Sequence, residues 1–120
     1  MRYFNYEEFD SPDIQGSGQL MDKTLLNMLD TTRELYNRPI VINSGYRTLR
    51  HNSKVGGTSE SSHLKGLAVD IAVQGSRERG MLLHALRTVG FTRIGIGKTF
   101  IHVDIDPDKD QSVTWLYTNK

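Results

Sequence analysis

The chain has 120 residues, 15 basic against 14 acidic, a formal net charge of +1 and no cysteine. That length holds one domain with its own core, and near-neutral charge with scattered basic residues gives no nucleic-acid footprint. The missing cysteines exclude disulfides and thiolate metal sites, and no apolar run approaches the ~20 residues that span a bilayer.

In chain order, residues 1–8 lack the apolar core of a secretory signal, so no signal peptide and no Sec route are expected. Leu25, Met28, Leu29, Thr32 and Leu35 recur at helical spacing, with Asp22 or Thr24 as cap, and predict a helix over 21–36. Pro39 ends it and introduces a short strand over 40–43. Ser44-Gly45 turns the chain into a short helix over 48–54, and Gly56-Gly57 opens a loop that holds His63. Leu67, Val69, Ile71 and Val73 then alternate with Ala68, Asp70 and Ala72, the period of a half-buried strand. Ser76 is a plausible N-cap for a second amphipathic helix carrying Met81, Leu82, Ala85, Leu86 and Val89, with Gly90 as its C-cap. Residues 94–97 and 99–105 read as a hairpin with Lys98 near its tip, 107–110 as a loop, and 113–117 as a short edge strand. The predicted fold is α+β, a single domain over 1–120. It has a small, mainly antiparallel sheet, helices on one face and a metal site on the other.

The chemistry sits on that second face. Asp70 interrupts an apolar strand, where a bare carboxylate is costly unless it is paired or metal-bound. Phe100, His102 and Asp104 alternate with Ile101, Val103 and Ile105, so His102 and Asp104 share one strand face. If the two strands are neighbours, Asp70 and His102 meet there and His63 reaches them from the preceding loop. Two histidines and a carboxylate are the ligand set of an open zinc site, with a fourth position left for water. A hydrogen-bonded Asp–His pair without metal is the plainer alternative. His84 reads as a helix-surface or partly buried structural residue, and His51 as a residue that shapes its loop, with contact to substrate as the lesser alternative.

Four motifs carry a resemblance to a known family. They are Ile42-Asn43-Ser44-Gly45-Tyr46-Arg47-Thr48, His51-Asn52 with Val55-Gly56-Gly57, the Ser61-x-His63-x-x-Gly66-x-Ala68-x-Asp70 run, and His102-Val103-Asp104. With the opening Phe9-Asp10-Ser11-Pro12 and Met21-Asp22, the chain resembles the M15 metallopeptidases, which include zinc D-Ala-D-Ala carboxypeptidases and phage and bacterial peptidoglycan peptidases. It is most similar to the compact subgroup whose last ligand motif reads His-Val-Asp. The resemblance implies a hedgehog/D-Ala-D-Ala-peptidase-like fold and one Zn2+ per chain held by His63, Asp70 and His102. It implies a peptidoglycan stem or cross-bridge peptide as substrate, and contact of Arg47 with substrate or transition state. Tyr46 reads as packing. Ser61 orients the His63 loop through a local backbone bond or touches substrate. A monomer is expected.

The chain departs from the better-known relatives at the general base. Thr99 stands where many carry an acid three residues before the last ligand, and Phe100 where some carry a histidine. Asp104 is the nearest candidate, either as base or as a group orienting a ligand histidine, and Asp106 is a weaker option. The departure keeps open a second function, a zinc-containing cell-wall-binding module with weak or no turnover. A third is a virion-associated or structural domain stapled by its metal. The expected setting is a bacterial or phage-infected cytoplasm, as for an endolysin, followed by action on the wall after release or export.

Overall fold

The computed structural model describes residues 1–118. Helix α1 (Lys23–Tyr36) is started by Asp22, whose side chain accepts the Leu25 N–H, and it ends at Asn37 in the left-handed region. It buries Leu25, Leu26, Leu29, Thr32 and Tyr36. The short helix α2 (Leu49–Lys54) begins where the Thr48 side chain accepts the His51 N–H, the capping bond that Ser, Thr and Asp favour. Helix α3 (Ser76–Val89) buries Leu82, Ala85 and Leu86 and packs on α1. Ser76 is its first residue rather than its cap; the cap is Gly75, whose carbonyl takes the Arg79 N–H.

Five strands form one mixed sheet in the order β1-β2-β4-β3-β5. They are β1 (Ile42–Ser44), β2 (Ala68–Ala72), β3 (Arg93–Ile96), β4 (Phe100–Asp104) and β5 (Val113–Leu116). The β1–β2, β2–β4 and β3–β4 pairs are antiparallel, whereas β5 joins the edge of β3 in parallel. β1 lies two residues later than its sequence pattern suggests at the start, because Ile40 is drawn into the core. Val69, Ile71, Ile94, Ile101 and Val103 turn to the helices and join Phe9, Leu25, Leu29, Leu82 and Leu86 in that core. Asp70, His102 and Asp104 take the opposite face, as strand alternation requires. Tyr46 packs against the core and His84 is exposed. Among the described residues no helix is long and apolar enough to cross a membrane.

One close approach couples the N-terminal segment to the site. A Cβ on Gly45 would lie 2.8 Å from the Cα of Phe9, and the adjacent Tyr46 N–H donates to the Phe9 carbonyl at 2.9 Å. Both neighbours are backbone, so a larger residue has to displace a buried segment. Gly45→Ala is therefore expected to destabilise the fold by about 1–3 kcal/mol, the usual range for overpacking. Urea unfolding followed by circular dichroism measures it.

Candidate metal centre

Strand register brings the first pair of side chains together. Asp70 stands directly opposite His102 across β2 and β4, and Asp70 Oδ1 lies 2.9 Å from His102 Nδ1. His63 does not sit in an open loop. It lies in a 3-10 turn, Ser62–Lys65, started by Ser61, whose hydroxyl accepts the His63 N–H. From there His63 Nε2 comes within 3.3 Å of Asp70 Oδ1. One ligand atom from each of His63, Asp70 and His102 lies within 4.8 Å of the others.

The far side of each imidazole is anchored. His63 Nδ1 faces the Gly45 carbonyl at 2.8 Å, and His102 Nε2 faces Asp104 Oδ2 at 2.7 Å. Each of those acceptors calls for an N–H, so the protons belong on the remote nitrogens. The near nitrogens then present lone pairs toward Asp70. Three electron-pair donors converging on one point, two of them buried, are mutually repulsive unless a cation lies among them. A proton on one imidazole relieves this in acid. A divalent metal relieves it with both imidazoles neutral. The donor set and its outer hydrogen bonds fit zinc.

The electrostatics follow from burial and these contacts. Burial pushes the His63 imidazole down from its ordinary pKa and outweighs the opposing pull of Asp70, so that the neutral, ligating form is favoured. Burial also works against a charged His102, but hydrogen bonds to Asp104 and Asp70 outweigh it and raise the value. Asp70 is desolvated, yet when a proton sits on a facing imidazole nitrogen the hydrogen bonds from His102 and His63 hold it ionised far below the usual carboxylate range.

Arg47 lies against the same group. Its Nε donates to Ser44 Oγ at 3.0 Å, Nη1 to Asn52 Oδ1 at 3.3 Å and Nη2 to Asp70 Oδ2 at 3.3 Å. Its backbone N–H also donates to the His63 carbonyl at 3.1 Å. Asp104 is closed in: Oδ1 accepts from Arg93 Nε at 2.6 Å and from the Asp106 N–H at 3.1 Å, while Oδ2 faces His102. Its side chain is 1% exposed. Asp106 does not line the cleft. It is buried under the His63 turn, accepting from Ser62 Oγ at 2.7 Å and from Lys65 Nζ.

Sequence reasoning missed three residues here. Arg93 is buried, bonds Asp104 and the Asp110 carbonyl, and lies 5.0 Å from the Trp115 ring. Its alternation with Ile94 was a signal, but a strand begun at Ile94 leaves it out. Asn52 is buried and joins Arg47 to the Thr58 carbonyl. Trp115 on β5 lies 5.5 Å from the His102 ring. A Cβ on Gly95 would meet its indole nitrogen at 2.5 Å and the Tyr117 ring at 2.7 Å, so β3 carries glycine where the two rings cross it. Arg93, Trp115 and Tyr117, with Arg47 and the three candidate ligands, bound a cleft of about 190 Å³, which Ser61 and Lys109 also line.

The chain is similar to known proteins. The zinc D-Ala-D-Ala carboxypeptidase of Streptomyces albus G is 44% identical over 57 residues, 48% of this chain. The shared stretch is 22% of that protein's length, so the chain spans well under two thirds of this relative. A sequence profile described as peptidase M15 matches residues 2–106, which include His63, Asp70, His102, Arg47 and Asp104. A match over most of its length, with the paired strands and histidine turn inside it, means that the chain belongs to the peptidase M15 family.

Proposed function

We propose that the chain is a zinc-dependent peptidase acting on peptidoglycan stem or cross-bridge peptides. The observation that carries this reading is the convergence of His63, Asp70 and His102, with each imidazole held by its own acceptor on the far side. Family membership supports the reaction class, and the name of the Streptomyces relative supports zinc and a D-alanyl peptide. Zinc in such a site supplies Lewis-acid activation of water and of the scissile carbonyl.

The chain's own residues prepare that chemistry. Arg47 takes Asp70 Oδ2, which leaves Oδ1 directed at the imidazoles. Each terminal nitrogen of its guanidinium keeps a second N–H, and this pair is suited to hold a substrate oxygen or the developing oxyanion. Ser61 caps the His63 turn and lines the cleft, where its hydroxyl can also meet a substrate backbone. Of the two roles open to Asp104, its packing favours orientation. Both oxygens are committed and the side chain is closed to solvent, so it fixes the His102 tautomer as an outer carboxylate does.

A second reading is favoured by one observation. Among the described residues, the carboxylates lining the cleft are Asp70 and Asp104, and both are committed to partners. Such a cleft suits a zinc-holding wall-binding module with little turnover. Metal analysis coupled to mass spectrometry of muropeptides, digested with and without chelator, tests both. A peptidase releases new amino groups only with metal present, and a binder retains wall fragments unchanged.

Purified protein is expected to hold one zinc per chain, and His63→Ala, Asp70→Ala and His102→Ala each to lose it. Full occupancy in any of them by metal analysis would defeat the ligand assignment. Arg47→Ala, assayed at saturating zinc, is expected to lose on the order of a hundredfold or more in turnover. Unchanged muropeptide kinetics would return Arg47 to a structural role. Asp104→Asn is expected to weaken zinc affinity by about 10–100-fold, measured by competition with a chromophoric chelator. A large loss of turnover with zinc affinity intact would instead make Asp104 a proton acceptor.

A further inference from the structure

The metal cleft has a neighbour. A second depression of about 270 Å³ is lined by Asn43, Ser44, Arg47, His51, Val55, Asp70 and Phe100. Arg47, Asp70 and Phe100 also line the first cleft. The two hollows therefore adjoin through these shared side chains, which include the Arg47–Asp70 ion pair. Neither reaches the ~300 Å³ at which compact ligand sites begin, but together they do.

The surroundings suit an extended peptide. β1 is the edge strand on this side of the sheet, and Asn43 on it is exposed. The Asn43 amide and the His51 imidazole each offer a donor and an acceptor for peptide groups. Val55, 44% exposed, adds an apolar patch. Arg47, which lines both hollows, donates through Nη2 to Asp70 and through Nη1 to Asn52 and keeps a further N–H on each nitrogen for a peptide carbonyl. A site that removes a terminal residue needs a closed end on one side of the metal. Here a second hollow adjoins the cleft that holds the candidate ligands.

We propose that the second hollow, floored by Asn43, His51 and Val55, is a subsite for substrate residues beyond the scissile bond, so that the enzyme cuts within a peptide rather than trimming its end. This rests on the peptidase reading above. It assigns that peptidase an extended peptide, occupied on both sides of the cut, as its substrate class.

The test uses zinc-loaded protein with two probes: a muropeptide stem with a free carboxyl end, and a cross-linked muropeptide dimer with the same stem extended on both sides. Mass spectrometry is expected to find an internal cut in the dimer, with kcat/KM at least that of the stem. His51→Ala and Val55→Asp are expected to lower the dimer-to-stem ratio of kcat/KM by about tenfold, chiefly through KM, as lost contacts of this size imply. Binding gives a second readout. Trp115 is the single tryptophan of the chain and lines the metal cleft, so its fluorescence reports dimer binding to chelator-treated protein, which both variants should weaken. Release of only a terminal residue, with the dimer uncut, would overturn the proposal and leave the peptidase reading intact. Equal effects of the variants on both probes would also overturn it. No metal-dependent hydrolysis of either probe would remove the peptidase reading and this subsite with it.

Discussion

The opposition of Asp70 and His102 across β2 and β4 is the contact from which the site is built. It is fixed by residues that take no part in the chemistry. Val69 and Ile71 on one strand, and Ile101 and Val103 on the other, are at most 1% exposed and point to the helices. A slip of one residue would bury Asp70 and His102 and expose the aliphatics. The apolar core thus specifies the polar face, and the site inherits the rigidity of the sheet.

Around that pair, one polar group is held by the next. His63 leans on Gly45, which is tied to Phe9 through Tyr46. His102 leans on Asp104, Asp104 on Arg93, and Arg93 on the Asp110 carbonyl and the face of Trp115. A buried ion pair such as Arg93–Asp104 contributes little net stability, because desolvating both charges offsets most of their attraction. Its effect is geometric. With the lone pairs of Asp104 assigned, the His102 ring has one orientation and one tautomer.

The sheet face carrying Asp70, His102 and Asp104 was legible in the sequence because alternation against aliphatic neighbours is a strong local signal. Both long helices were legible for the same reason, through the spacing of Leu25, Leu29, Leu82 and Leu86. The His63 turn was not read as a 3-10 helix, since four residues started by Ser61 show no period. Nor could local pattern reveal that Asp104 is sealed by Arg93, that Asp106 braces the turn from below, or that Asn52 holds Arg47. Those contacts join residues 11, 44 and 5 positions apart, and they depend on which strands become neighbours. The parallel attachment of β5 was equally hidden, because an edge strand's direction follows from the path of the loop before it.

β5 also separates two properties of the protein. It lies after residue 106, where the family match stops. It is hydrogen-bonded to β3 at the rim of the sheet opposite β1, and none of the three candidate ligands resides on it. Trp115 on it and Tyr117 just beyond it nonetheless line the cleft. Substitutions on this strand can reshape one wall of the cleft while β2 and β4 keep the register that holds Asp70 against His102. That wall and the paired candidate ligands therefore lie on different stretches of the chain, and one can be altered without redrawing the other.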